Sequence, residues 1–132
     1  MRRWDTTMSS SGFNRYYDSS YVDSGVAEGR HRQIVGGRWD EIGALQLEML
    51  AEHGLKPDHK LLDVGCGCLR GGVHFVRYLE PGHYFGTDIN QSLLDAGYDV
   101  ELAKAGLQDR LPRTSLKADG AFQFSALNVQ FD

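Results

Sequence analysis

The sequence predicts an α/β fold with a parallel, doubly wound β-sheet, and residues 60–90 carry the prediction. A short apolar run ends in two closely spaced glycines. Apolar residues at helical spacing follow, and a second short apolar run ends on an acidic residue. Strand, glycine turn, helix and strand in this order make up half of a nucleotide-binding sheet. We expect strand order 3-2-1, a sheet truncated to its first half, and a helix before it.

The preceding helix is predicted from Gly37, with Gly54 just after its C-terminal cap. Its apolar residues approximate one face of a helix. These residues are Trp39, Ile42, Leu45, Met49 and Leu50.

The first strand is predicted from Leu61, Leu62 and Val64, because a continuous apolar run is typical of a strand buried on both faces. Gly65 and Gly67 follow at once. Glycine adopts backbone angles closed to other residues and lets the main chain approach a ligand closely. The sequence therefore predicts a ligand-binding turn directly after this strand.

The second helix and strand follow the turn. Apolar side chains recur at helical spacing over residues 73–79, and Pro81-Gly82 ends the helix. Residues 84–87 form the second strand, and Asp88 lies about 20 residues beyond the glycine turn. An acidic side chain there can accept hydrogen bonds from both ribose hydroxyls of a nucleotide.

The remaining elements are a third helix over residues 91–105, with Asn90 as its N-cap, and a third strand over residues 116–118. We expect four side chains of the helix to face the sheet: Leu94, Tyr98, Leu102 and Ala105. Three apolar residues are expected to cover the end of the sheet: Phe122, Phe124 and Leu127.

The glycine turn departs from the dinucleotide pattern G-x-G-x-x-G, because Arg70 occupies the third glycine position and Gly71 follows it. With Asp63 just before the turn, the segment LLDVGCG resembles motif I of the class I S-adenosylmethionine-dependent methyltransferases, which have a Rossmann-like fold. The resemblance covers about residues 32–132 and implies S-adenosylmethionine as cofactor. That family commonly has a further glycine where this chain has Leu69.

The resemblance implies a role for each motif residue. Asp63 would lie near the methionine amino group of the cofactor. The turn of Gly65, Cys66 and Gly67 would pass under the methionine and ribose, and Asp88 would hold the ribose hydroxyls.

The resemblance also implies an adenine site and a fourth strand. Ile89 would pack on the adenine ring, and Asp119 would lie near the adenine amino group. An ordinary turn aspartate remains the alternative for Asp119. Phe131-Asp132 matches the pair that opens strand four in the family.

The N-terminal part has two open interpretations. Residues 1–36 form either a flexible segment or a lid over the cofactor, with Tyr16, Tyr17 and Tyr21 as contact residues. Residues 37–132 form the incomplete cofactor-binding domain. Trp39 either packs in the core or borders the methionine end of the cofactor, where Arg38 would pair with the methionine carboxylate.

The chain stops where the family's fourth strand begins, which would leave the first strand with a bare edge. We expect a truncated gene product or fragment first, and a homodimer through this edge second. The third alternative is that residues 129–131 fold back as a stub of strand four.

Composition is that of a globular domain, with 41% hydrophobic residues, 24% charged residues and a net charge of −4. The charge argues against non-specific nucleic-acid binding, and no apolar run approaches the roughly 20 residues that span a bilayer. Cys66 and Cys68 are too close for a structural disulfide, which favours the cytoplasm. Cysteine and histidine spacing predicts no metal site, and the histidines are expected at the surface or at helix ends.

The resemblance implies methyl transfer to an acceptor that the sequence does not name. No general base is identified, so we expect this chain to bind the cofactor weakly and not to catalyse alone. Two alternatives stay open. One is a non-catalytic binding or assembly module. The other is an NAD-dependent oxidoreductase, because Gly65, Gly67 and Gly71 give G-x-G-x-x-x-G.

Overall fold

A computed structural model describes residues 18–121 and 123–132. It contains a three-stranded parallel sheet in the order β1-β2-β3, formed by Leu61–Val64, Tyr84–Asp88 and Leu116–Ala118. Leu61 lies opposite Tyr84, and Gly86 lies opposite Leu116. The predicted α/β fold class is confirmed, and the order agrees with the expected 3-2-1 arrangement.

Helices connect and precede the strands. The α-helices are α1 (Ser19–Ala27), α2 (His31–Ile34), α3 (Trp39–Glu52), α4 (Gly72–Tyr78), α5 (Gln91–Ala96) and α6 (Ala103–Ala105). A π-helical segment, Gly97–Leu102, joins α5 to α6. Short 3₁₀ helices cover Gln108–Arg110, Arg113–Ser115 and Phe124–Leu127. None of the helices within the described ranges combines the length and apolar character needed to cross a membrane.

The main core lies between the sheet and the helices that follow its strands. Tyr84 of β2 is almost fully buried there, and its ring stacks on Phe75 of α4 at 6.1 Å between centroids. Leu94 and Leu102 are buried in the same core, while Tyr98 and Ala105 are partly buried against it. The four side chains predicted to face the sheet therefore all contact the core.

The opposite face of the sheet is less covered. Leu61 packs against the main core, whereas on the opposite face Leu62 is half-buried and Val64 is 49% exposed. Phe131 packs edge-to-face on Phe85 at 5.3 Å on this side. The expected burial of β1 on both faces is therefore wrong, because among the described residues a short C-terminal segment covers the second face and leaves Val64 half exposed.

The C-terminal residue meets the open edge of β1. The N–H of Leu61 points towards β2, where it donates to the carbonyl of His83 at 2.9 Å. Successive residues of a strand point their N–H groups to alternate sides, so Lys60 faces the open edge. There the N–H of Asp132 donates to the carbonyl of Lys60 at 3.0 Å, and the N–H of Lys60 donates to Asp132 Oδ2 at 2.8 Å. The chain end thus lies beside β1, as the fold-back alternative requires, but forms no strand there. A homodimer through this edge stays a prediction.

Helix α3 begins at Trp39, and Gly54 has a positive φ of 107° beyond its end, as expected. Its predicted apolar face is wrong in part, because Leu45 and Met49 are about half exposed. Trp39 and Leu50 of the predicted face do pack against the core, and Leu47, which was not predicted, joins them.

Close backbone packing explains which face of α3 turns inward. Gly43 of α3 is buried against the carbonyl of Arg70 and the ring of His74. A Cβ at position 43 would lie 2.8 Å from His74 Cδ2. The missing side chain therefore lets α3 approach α4 along the face that contains Gly43.

The helix predicted over residues 91–105 is interrupted by the π-helical segment, with Asn90 at the N-cap position as predicted. Gly97 begins this segment directly over Leu69, and a Cβ there would lie 2.7 Å from Leu69 Cγ. Leu69 is fully buried and has a φ of 72°, the left-handed conformation that favours glycine. Gly97 thus accommodates the leucine that stands where the methyltransferase motif has glycine.

The described part of the N-terminal segment is packed on the domain. Val22 of α1 is fully buried in a second cluster with Cys68, Leu93 and Ala96. Tyr21 lies on the exposed side of α1. Tyr16 and Tyr17 lie outside the described residues. The lid interpretation and the domain boundary at residue 36 both stay predictions.

Candidate functional site

The glycine turn after β1 has the backbone angles that its sequence predicts. Gly65 and Gly67 have positive φ values of 74° and 56°. The N–H groups of Gly65 and Cys66 both donate to the carbonyl of Thr87, at 2.8 and 2.9 Å. A Cβ on Gly65 would meet no atom within 4 Å, so the space above this residue is open. The turn is therefore fixed to the end of β2 and leaves room for a ligand.

Asp88 joins the turn to the start of α5. Its carboxylate is 3% exposed, and Oδ2 accepts from the N–H of Gly67 at 2.9 Å. Oδ1 accepts from the N–H of Asn90 at 3.0 Å. A carboxylate has about four lone-pair positions, so this geometry leaves acceptor capacity for two further donors.

Asp63 lies on the other side of the turn. The hydroxyl of Tyr84 donates to Asp63 Oδ2 at 2.7 Å. Burial raises the pKa of Asp63; the Tyr84 hydrogen bond opposes this effect and the charge of Asp88 adds to it. A carboxylate with a raised pKa is stabilised in its ionised form by a cationic partner.

A polar cleft of about 110 Å³ opens beside Asp63. We call it the first cleft. Arg70 lies in its wall, and Arg70 Nη1 donates to the carbonyls of Val35 and Gly37, both at 3.0 Å. The lining residues are Val35, Gln46, Asp63, Gly65, Cys66, Gly67, Arg70 and Gly71.

A second cleft, of about 140 Å³, opens at the end of β2 and β3. The N–H of Asp119 donates to the carbonyl of Asp88 at 2.8 Å, which places Asp119 beside the end of β2. Ile89 is half-buried, and a Cβ on Gly120 would lie 3.8 Å from its side chain. This cleft is lined by Thr87, Lys117, Ala118, Asp119, Gln123, Phe124 and Leu127; Phe122 lies outside the described residues.

Asp119 also forms the hydrogen bond of a turn aspartate, since its Oδ1 accepts from the N–H of Ala121 at 2.9 Å. The structural interpretation of this residue therefore holds. The adenine-binding interpretation stays a prediction, because one hydrogen bond leaves carboxylate acceptors free.

Arg38 was predicted to bind the methionine carboxylate beside Asp63, but it does not line the first cleft. Its guanidinium forms a two-point pair with Glu41, at 2.6 and 3.1 Å, and its side chain is 66% exposed. A role at the methionine carboxylate would require this pair to open. Arg70, which the sequence analysis treated as an interruption of the glycine pattern, lines the cleft instead.

Both thiols near the turn are buried and free. Burial raises the pKa of the Cys66 thiol well above its usual range, with Asp63 and Asp88 adding to the effect. Burial, with a contribution from Glu101, raises the pKa of Cys68 to about 12. Neither thiol is therefore a nucleophile at neutral pH.

A buried network behind the turn was not predicted. His31 Nε2 lies 2.7 Å from Glu101 Oε1, and Arg32 donates to both oxygens of Glu101 at 2.9 and 2.7 Å. Burial opposes ionisation of Glu101, but the hydrogen bonds from Arg32 and His31 outweigh it and hold its pKa below the usual value. Arg32 also lies over the Trp39 ring at 4.6 Å. The network joins α2 to the π-helical segment. It thereby also fixes residues 35–37, which directly follow α2 and lie beside the first cleft.

Comparison with known proteins shows a partial similarity to a plant methyltransferase. The chain is 31% identical over 86 residues to phosphoethanolamine N-methyltransferase 1 of Arabidopsis thaliana. The matched segment is 63% of this chain but only 17% of that protein. No protein-family profile matches the chain. The similarity supports a distant relationship to part of a methyltransferase.

Proposed function

We propose that this chain is a cofactor-binding portion of an S-adenosylmethionine-dependent methyltransferase. One observation carries the proposal: the Asp88 carboxylate accepts a hydrogen bond from Gly67, which lines one of two clefts that open at the ends of the strands. Ligands of open parallel α/β sheets bind at that edge. The similarity to part of a plant methyltransferase supports the choice of cofactor.

The residues present fit this group. Asp63 offers a carboxylate to the methionine ammonium, and the open space over Gly65 admits the chain that links it to the ribose. Asp88 has acceptor capacity for ribose hydroxyls. Asp119 lines the second cleft and would offer a hydrogen-bond acceptor to an adenine ring. Ile89 lies near Gly120, next to Asp119 in the chain, and would offer the ring an apolar surface.

When bound, the cofactor supplies a methyl group already activated by its sulfonium. The residues of this chain therefore bind and orient, and positioning alone can provide much of the rate advantage of a direct displacement. We assign no general base and no acceptor to the described residues. The cysteines of the turn stay protonated and take no part in the chemistry.

The test is calorimetric titration of the purified chain with S-adenosylhomocysteine and, separately, with NAD. We expect saturable binding of S-adenosylhomocysteine and none of NAD. Asp88→Ala should abolish the binding of S-adenosylhomocysteine. Asp23 is an exposed aspartate of α1, so Asp23→Ala should leave this binding unchanged. Ile89→Ala should weaken binding without affecting the turn. Circular dichroism confirms that each variant is folded.

A folded wild-type chain that binds neither ligand would contradict the proposal. Binding of NAD in place of S-adenosylhomocysteine would favour the oxidoreductase alternative.

A further inference from the structure

The first cleft has one anionic and one cationic side chain in its wall, Asp63 and Arg70. Among the described residues, neither forms an ion pair with the other or with any other side chain. The remaining side chain of polar character in the lining is the amide of Gln46. A small cleft with one separate charge of each sign is complementary to a ligand that also has one of each.

Within residues 18–121 and 123–132, one edge of the Arg70 guanidinium has no hydrogen-bond partner. The guanidinium has five N–H donors, and the two on Nη1 go to the carbonyls of Val35 and Gly37. The other three donors lie on Nε and Nη2, which form the fork that binds a carboxylate through two parallel hydrogen bonds. The first pair of bonds fixes the guanidinium, so the fork is held in place before a ligand arrives.

Asp63 has the complementary requirement. One of its oxygens accepts from the Tyr84 hydroxyl, and burial makes the ionised carboxylate unfavourable without a cation. A ligand ammonium would provide that cation and the additional donors.

We propose that Arg70 is the residue of the first cleft that holds the carboxylate of the α-amino-acid group, whose ammonium the proposed function already gives to Asp63. The inference rests on the proposed function, because the amino-acid group is then the methionine end of the cofactor. It replaces Arg38, whose guanidinium is exposed and engaged with Glu41, as the carboxylate-binding residue.

One consequence concerns residues 35–37. The same guanidinium that binds the carboxylate holds two carbonyls of this segment, so ligand binding and attachment of the segment strengthen each other. The specificity should then favour ligands with the full amino-acid group over those without its carboxylate.

The experiment compares two ligands and four proteins by calorimetry. The ligands are S-adenosylhomocysteine and its decarboxylated analogue, which keeps the amine. The proteins are the wild type, Arg70→Gln, Arg70→Lys and the control Arg38→Gln. Wild type should prefer the carboxylate-bearing ligand by roughly 10- to 100-fold, the range for hydrogen bonds to a charged group.

Arg70→Gln should reduce this preference to about threefold or less, and Arg70→Lys, which keeps the charge without the fork, should show an intermediate preference. Arg38→Gln should keep the wild-type preference. If Arg70→Gln does not fold, the lysine variant provides the comparison.

The inference would be overturned, while the proposed function stands, if the preference for the carboxylate-bearing ligand survives in the Arg70 variants. If both ligands also weaken by the same factor in those variants, Arg70 only anchors residues 35–37. A folded wild type that binds neither ligand refutes the proposed function itself.

Discussion

Replacement of Asp88 by asparagine tests whether this carboxylate builds the ligand-binding turn. The side chain is 3% exposed and accepts from two N–H groups, those of Gly67 and Asn90. Asparagine has one acceptor oxygen, so its NH₂ group would face one of these donors and leave it buried without a partner. A hydrogen bond to a charged group is worth about 1.5–3 kcal/mol, and an unsatisfied buried donor costs about 1–3 kcal/mol. Because these terms overlap, we expect the free energy of unfolding to fall by about 2–4 kcal/mol.

Equilibrium unfolding in urea at pH 7 measures the change. For a slope near 2 kcal/mol per molar urea, the midpoint should fall by about 1–2 M. The control is Asp18→Asn. Asp18 caps α1 by accepting from the N–H groups of Ser20 and Tyr21 on the exposed surface, and asparagine caps about equally well. A free energy of unfolding for the Asp88 variant within about 0.5 kcal/mol of wild type would refute the reasoning.

Three further predictions concern buried charges and thiols. Glu101→Gln should lower the free energy of unfolding by about 2–3 kcal/mol. The loss is smaller than for a fully buried ion pair because the side chain of Arg32 is 40% exposed. As a control, Glu41→Gln breaks an exposed ion pair and should change the free energy of unfolding by less than about 0.5 kcal/mol. Since the folded-state pKa of Glu101 is lowered, its contribution to stability is present above the unfolded-state pKa and is lost as pH falls through the folded-state value. If the free energies of unfolding of wild type and Glu101→Gln depend on pH in the same way below pH 5, this reasoning is wrong. The pKa of Asp63 is raised, so its favourable contribution to stability is present below the unfolded-state value of 3.8 and is lost as pH rises. Asp63→Asn should therefore be at least as stable as wild type at pH 7 but bind S-adenosylhomocysteine more weakly. A loss of stability with unchanged binding would contradict this prediction. With a pKa of about 12 at Cys68, only about one thiol in ten thousand is ionised at pH 8, so Ellman's reagent should label the folded chain slowly and the urea-unfolded chain at once.

Local patterns in the sequence were sufficient for the framework of the site. The apolar runs of β1 and β2, the glycine turn between them and the acid at position 88 each depend on neighbours in the chain, and each has the predicted place in the structure. The turn and Asp88 meet because parallel strands end at the same edge of a sheet.

The features that were missed depend on contacts between distant segments. His31 and Glu101 meet across 70 residues, so neither has a sequence signal for the other. The face of α3 that turns inward is set by the close contact of Gly43 with the backbone of Arg70. Hydrophobic periodicity does not predict such a contact, because glycine has no apolar side chain. Arg70 itself stands alone between the glycines, and only the fold shows that it borders the first cleft.

The π-helical segment lets one helix satisfy two partners on different sides. Glu101 reaches the N-terminal helix α2, while the adjacent Leu102 is buried in the main core. Regular α-helical winding of the same six residues would rotate everything after the segment by about 100°. The rotation would turn Leu102 off the core or carry Glu101 away from His31. The wide winding of this segment therefore keeps the contacts of Glu101 and Leu102 in phase on two sides of one helix.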